Sequence, residues 1–301
     1  MKILQPLLYF NLFQHPLTEE EIFHFSSLED IKHLQLELQN ALSKQIIQKT
    51  EEFYHLHLNQ NNIKKRRKGN LEAKKVMKIA KQKAEFIFKY FPFIEGVAIS
   101  GSLSKGYFDK DSDIDFFIIT QKNRLWFCKM ILMVYKKTFL FNSKKFFCIN
   151  YLVSNHALEI KDKNRFTATE IATMIPMQGT ILNDFFEINN WYKQFYPNKK
   201  ITIDKLLTSN KTYFRSAFEK LTNNVLGDWL ETISFKIIFN FWKLKYQNKM
   251  TSEDFELAFK SSKEVSKHHP SNYQKKVIDK LNLDYKEVKE KHNIEFPLEH
   301  A

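Results

Sequence analysis

Cysteine, glycine, proline and arginine are all scarce in this chain. Its 301 residues hold two Cys, six Gly and seven Pro. Two thiols cannot build a disulfide framework, and Cys128 and Cys148 both stand in apolar contexts. Buried free thiols of that kind fit a reducing compartment. So little Gly and Pro excludes collagen-like and low-complexity chains. Long apolar runs are missing too. The most apolar later stretch, ISFKIIFNFWKL, is too short to span a bilayer and carries Lys236. The opening MKILQPLLYFNLFQHPLT has the outline of a signal peptide, but Gln5 and Asn11 interrupt it and no small-residue cleavage site follows. The expectation is a soluble, cytoplasmic protein with no membrane partner.

What is abundant is phenylalanine and lysine. The 29 Phe and the 43% of hydrophobic residues are enough to build real cores, so disorder is excluded. The length suggests two or three domains. Net charge is +13 and the pI about 9.4. A polyanionic partner would account for that excess, and so would plain compositional bias. Only five of the 47 basic residues are Arg. Bidentate phosphate recognition favours Arg, so a lysine excess discriminates little between the two.

Residues 1–62 read as a small domain of three helices and a hairpin. ILQPLLYFNLF has helical patterning, with Pro6 in the first turn. In PLTEEEIFHF, Thr18 and Glu21 form a capping-box pair. In the third helix Leu34, Leu38 and Leu42 are spaced by four. QIIQKTEEFYHLHL alternates around a Glu51–Glu52 turn, which predicts two short strands. Helices followed by a hairpin resemble a winged helix-turn-helix. The third helix carries Glu29, Asp30 and Glu37 against Lys32 and Lys44, where a DNA-reading helix would be basic. Protein packing or dimerisation is therefore at least as good a reading. Next comes the sharpest charge run, Lys64, Lys65, Arg66, Arg67 and Lys68. It reads either as a solvated linker or as a nucleic-acid contact.

The chemistry concentrates between Ile99 and Thr120, ISGSLSKGYFDKDSDIDFFIIT. An apolar strand, GVAIS, runs into Gly101–Ser102, where a turn or helix start presents free N–H groups suited to a phosphate. Gly101 allows close backbone approach. The Ser102 hydroxyl can cap the helix or donate to a phosphate oxygen. DSDIDFFII reads as a strand starting near Asp113, and in a strand Asp113 and Asp115 share a face. At about 5 Å two carboxylates repel by roughly 3 kcal/mol at an effective dielectric of about 20. A cation removes that penalty, and an all-oxygen set suits Mg²⁺. Asp109 and Asp111 precede the strand and read as a solvated turn. A calcium EF-hand loop would need Gly where Ile114 stands. Haloacid-dehalogenase-type phosphatases and many DxD sugar transferases place the apolar strand before the acidic pair, whereas here FFII follows it.

Apolar strand, Gly-Ser, ten residues, then Asp-x-Asp entering a second apolar strand: this order resembles the DNA polymerase beta-type nucleotidyltransferase superfamily. Lys105-Gly106 stands where many members have Arg-Gly. The motif covers residues 96–119, and the order of the helix RLWFCKMILMVYKKTFLF and the strand KKFFCINYLVS extends the resemblance to about residue 155. The resemblance implies that Asp113 and Asp115 hold metal, with two Mg²⁺ ions expected, and that Gly101, Ser102 and Lys105 hold nucleotide phosphates. It also implies attack by an acceptor hydroxyl on the α-phosphorus of a nucleoside triphosphate, with release of pyrophosphate. One position departs. Asn150 stands where the family usually places a third carboxylate, and an amide is no proton acceptor. Glu159 and Glu170 are replacement candidates, although TATE from Thr167 reads as another capping box that would occupy Glu170.

The expected fold is α/β (α+β): a winged-helix-like domain at 1–62, a nucleotidyltransferase core with a mixed sheet at 70–160, and a helical region at 161–301. Aromatic residues of the last region read as core, with base stacking open as an alternative. His268 and His269 before Pro270 read as a loop, since they lack the i,i+4 spacing of a helical metal site. The leading function is Mg²⁺-dependent nucleotidyl transfer from a nucleoside triphosphate to an acceptor that could be small molecule, RNA or protein. The alternative is a catalytically weak relative that regulates by binding nucleotide or nucleic acid.

Overall fold

The computed structural model describes residues 1–56, 61–143, 145–201, 208–268 and 272–300. His269 and Pro270 lie outside them, as do His57 and Leu58 at the end of the expected hairpin.

The N-terminal unit follows its local signals. It comprises α1 (Leu4–Asn11), β1 (Leu17–Thr18), α2 (Glu19–His24), α3 (Ile31–Ser43), β2 (Gln48–Thr50) and β3 (Phe53–His55). The capping box at the start of α2 is made in both directions: Glu21 N–H donates to Thr18 Oγ1 at 3.3 Å, and Thr18 N–H donates to Glu21 Oε2 at 3.0 Å. Leu34 and Leu38 of α3 are buried. The hairpin strands pair as expected, and β1 adds a third, giving the order β1-β3-β2.

The basic run is not a linker. Helix α4 (Asn61–Tyr90) is continuous for 30 residues and carries the run in its first turns. Lys and Arg are good helix formers. The buried residues Ile63, Arg66, Gly69, Ala73, Val76, Ala80 and Ala84 recur every three or four positions, which makes one helical stripe. One helix therefore ties the N-terminal unit to the core.

The core is a five-stranded mixed sheet of order β7-β4-β5-β6-β8. Strand β4 (Ile94–Ser100) leads through the four-residue α5 (Gly101–Ser104) to β5 (Asp115–Thr120). Helix α6 (Leu125–Phe139) crosses over to β6 (Cys148–Ser154), which lies parallel to β5. Next follow α7 (Arg165–Thr173), β7 (Ile175–Gln178), α8 (Ile181–Ile188), α9 (Tyr213–Thr222), α10 (Val225–Tyr246), α11 (Ser252–Ala258), β8 (Val265–Lys267) and α12 (Tyr273–His292).

Residues 161–301 are thus not purely helical, because β7 and β8 close the two edges of the sheet. Neither carries a strand signal of its own. β7 contains Pro176, which belongs on a sheet edge, and β8 is three residues long. Alternation along the strands sorts two cores. Val97, Ile99, Phe116, Ile118 and Leu152 join the cluster that includes residues of α4, α6 and α10. Ala98, Phe117, Ile119 and Val153 join the one that includes residues of α1, α7, α8 and α12. Cys128 and Cys148 are free and buried. No described helix is long and apolar enough to cross a membrane.

Candidate active site

At the end of β4 the chain turns sharply, and Gly101 takes φ +71°. A Cβ there would lie 2.3 Å from Asp115 Oδ2, so the absence of a side chain lets the turn rest against the first residue of β5. Register explains the contact, since Ser100 on β4 pairs with Asp115 on β5. The N-cap of α5 is Ser100 rather than Ser102. The Ser102 carbonyl accepts from the N–H groups of Lys105 and Tyr107, which closes the turn.

Asp115 is deeply set. Burial first, then the charges of Glu170 and Asp113, push its carboxyl up to about 7, against opposing pulls from the Cys148 thiol and Lys105. Asp113 lies just before β5, half-buried, and is not part of the cavity lining described below. Asn150 sits at a bulge in β6, where the register steps from Phe116–Ile149 to Phe117–Tyr151. Its amide donates to Asp115 Oδ1 at 3.0 Å. The residue at the third-carboxylate position therefore touches Asp115, but as a donor.

Glu170 enters from α7. The N-cap of that helix is Asn164, whose side chain accepts from Thr167 N–H at 3.0 Å. The expected capping box at Thr167 does not form, because Thr167 is already inside the helix. Glu170 is left free to face the sheet. Its Oε1 accepts from Lys105 Nζ at 2.7 Å and its Oε2 from Gly101 N–H at 3.3 Å. The N–H and ammonium that would meet a phosphate thus hold a carboxylate. Glu159 is half-exposed and pairs with Lys163 at 2.7 Å.

Gly101, Ser102, Lys105, Asp115, Asn150 and Glu170 line one cavity of about 620 Å³. The N-terminal unit contributes Phe13 and His15 to its wall, and the C-terminal segment contributes Lys267 and Gln274. Among the lining residues, Glu170 is one of the two replacement candidates read from the sequence, whereas His15, Lys267 and Gln274 are not sequence-predicted site residues. The spacing Asn164-x-x-Thr167 could have freed Glu170. Nothing local marks the other three.

Several of the other acidic and basic residues have structural partners. Asp109 is half-buried, not merely solvated: its Oδ1 accepts from Ser112 Oγ at 2.9 Å and Asp111 N–H at 3.0 Å, and its Oδ2 from Tyr107 Oη at 2.7 Å. In the basic run, Arg66 is buried against Glu21, and Arg67 pairs with Glu51 and Glu52. Lys65 stands 3.9 Å from Asp109. His268 packs on Trp242 with ring centroids 4.8 Å apart.

Among the described residues no three His, Cys, Asp or Glu side chains converge as a complete metal-ligand set. The two aspartates nevertheless fit a hard cation as part of one. Their donors are all oxygen, and the charge of Asp113 beside Asp115 pushes the Asp115 carboxyl up, a repulsion that Mg²⁺ would relieve, with substrate phosphates completing its shell.

Residues 73–178 match the family model of the nucleotidyltransferase domain. The matched segment runs from within α4 through β7, so it contains the Gly-Ser turn, both aspartates, Asn150 and Glu170. It supports nucleotidyl transfer as the general activity. No curated protein and no solved structure matched the chain.

Proposed function

We propose that the protein moves a nucleoside monophosphate from a nucleoside triphosphate to an acceptor hydroxyl, with Mg²⁺ held by Asp113 and Asp115. The observation that carries this is the seating of the Gly101 backbone on Asp115. It joins a turn whose N–H and lysine hold the Glu170 carboxylate to the half-buried Asp115 within one cavity.

In this reading the triphosphate oxygens displace Glu170 from Gly101 N–H and Lys105 Nζ, with Ser102 donating beside them. The acceptor oxygen bonds to the α-phosphorus as the bond to the bridging oxygen breaks. Pyrophosphate leaves with that electron pair, and the displaced Glu170 takes the acceptor's proton. Bound Mg²⁺ would stabilise charge on the attacking and leaving oxygens. We place the reaction in the cytoplasm, in keeping with two free buried thiols.

The regulatory alternative draws on two observations. Asn150 is a donor where a third carboxylate would serve, and Glu170 fills the anion-holding groups. The N-terminal unit, read as winged-helix-like, would then be the output domain. Nucleic-acid contact through the basic run would rest on Lys64 and Lys68, since Arg66 and Arg67 are engaged with carboxylates.

Pyrophosphate release, followed with each triphosphate, Mg²⁺ and cell extract as acceptor source, separates the two. Transfer predicts release that Asp115→Asn abolishes and Glu170→Gln slows while tightening triphosphate binding. Triphosphate binding with no release under any condition would leave the regulatory reading standing.

A further inference from the structure

The cavity extends well beyond Asp115. Part of its floor is one face of the sheet, running from β5 across β6 to β8, where Tyr151 pairs with Lys267. Neighbouring strands lie about 4.8 Å apart, so Lys267 stands roughly 10 Å across the sheet from β5. There Lys267 Nζ donates to Gln274 Oε1 at 2.7 Å. The two residues are 5% and 4% exposed.

A lysine ammonium only donates, so it fixes the amide with Oε1 toward Lys267 and Nε2 turned away. That Nε2 is buried and has no hydrogen-bond partner among the described residues. Native folds rarely leave such a donor unmatched without reason. The ammonium is also under-compensated. Asp162 Oδ2 lies 3.9 Å away, and Asp162 Oδ1 is held by Lys260 at 2.8 Å. Burial accordingly lowers Lys267 to about 8. The cavity lining also includes the apolar residues Phe117, Tyr151, Phe166, Ile171 and Met174.

We propose that this end of the cavity is a recognition pocket for a compact apolar or aromatic body ending in a carbonyl or carboxylate oxygen, which accepts from Gln274 Nε2 and Lys267 Nζ. The pocket offers donors because its own acceptor, Gln274 Oε1, is spent on Lys267. A volume of about 620 Å³ suits a small molecule. The inference deepens the transfer reading and rests on it only for the source of that oxygen: a carbonyl-bearing base of the triphosphate, or the acceptor itself.

Calorimetric titration of the full chain tests it, with UTP, GTP and ATP in Mg²⁺ and, separately, benzoate and hexanoate. Gln274→Glu keeps the Lys267 contact but replaces the free N–H donors with an acceptor, and Lys267→Met removes the ammonium. Thermal melts confirm that each variant is folded, and Gln274→Met substitutes for either one that is not. The expected result is that at least one oxygen-ended probe binds and loses tenfold or more in both variants. If the base supplies the oxygen, UTP and GTP outbind ATP and Gln274→Glu erases the preference. If the acceptor supplies it, a carboxylate binds the wild type, fails on Gln274→Glu, and is unaffected by Asp115→Asn. Carboxylate binding without any triphosphate binding would sink the transfer reading and leave the pocket standing. The pocket is overturned if no probe binds, or if folded Gln274→Glu binds every probe within twofold of the wild type.

Discussion

Replacing Gly101 with alanine perturbs one contact whose geometry is known on both sides. At φ +71° a Cβ costs about 1 kcal/mol in backbone strain. The new methyl would also stand 2.3 Å from Asp115 Oδ2, while ordinary contact begins near 3.4 Å, so the carboxylate must retreat by the difference, 1.1 Å. Asp115 cannot do so freely, because Asn150 Nδ2 holds its other oxygen at 3.0 Å. Losing that bond costs about 1 kcal/mol net. The expected total is roughly 2–3 kcal/mol in urea unfolding, taking strain, lost bond and residual crowding together. Gly106→Ala is the control, since it shares φ +71° but has no atom of the described residues within 4 Å of its would-be Cβ. It should cost only the strain of about 1 kcal/mol. In an Asp115→Ala background Gly101→Ala should fall to the same figure, giving a coupling of about 1–2 kcal/mol. Activity should suffer more than stability, because a displacement of about 1 Å at a reacting centre can cost about 100-fold in turnover. Equal costs at Gly101 and Gly106, or additivity with Asp115→Ala within about 0.5 kcal/mol, would refute the seating of the turn on the carboxylate.

Other sites give sharper yes-or-no outcomes. Asn150→Asp swaps a donor to Asp115 for a second carboxylate, a repulsion of roughly 4 kcal/mol if both ionise about 4 Å apart at an effective dielectric of about 20. Melting should drop without Mg²⁺ and recover with it; an unchanged metal response would show that this bulge does not border the site. Lys129 is buried, donates to Ser266 Oγ at 2.7 Å, and is lowered by desolvation to about 7. Between about pH 7 and 10 the unfolded chain binds that proton and the folded one does not, so Lys129 makes stability rise with pH by up to about 1.4 kcal/mol per unit. Below about pH 7 both states hold the proton and its burial penalty is fully present. Lys129→Met should therefore unfold with a flatter pH slope than the wild type, and parallel slopes would count against a neutral buried amine. Arg66→Met removes the buried guanidinium that bonds Glu21 and should cost about 2 kcal/mol, whereas Lys64→Ala and Lys68→Ala should leave the melt unchanged. Equal effects at all three would mean that Arg66 is not the buried member of the run.

Short-range features were legible in the residue order because their partners are close along the chain. The Thr18–Glu21 capping box, the hairpin around Glu51, and a glycine at the end of β4 each depend on a few neighbouring dihedrals. The individual central strands were legible as apolar runs, the mixed sheet was implied by the family resemblance, and the matched domain covers that part. Errors arose where a local pattern had a competing use. Lys64 to Lys68 reads as a solvated run until the small residues of α4 are seen to continue its helical stripe through Arg66. Thr167 reads as a cap until Asn164 takes that place three residues earlier. The rest had no local signal. Glu170 reaches Gly101 across 69 residues of chain, and Arg124 meets Asp228 across 104. Strands β7 and β8 are edge strands with a proline or only three residues, so pairing with β4 and β6 makes them strands, rather than any period of their own. The unmatched Nε2 of Gln274 exists only because Lys267 has been carried onto the same sheet face. Residue type and spacing settle which chemistry a segment can offer; which of those groups share a cavity depends on burial free energy summed over the whole chain, and no short window of sequence contains that sum.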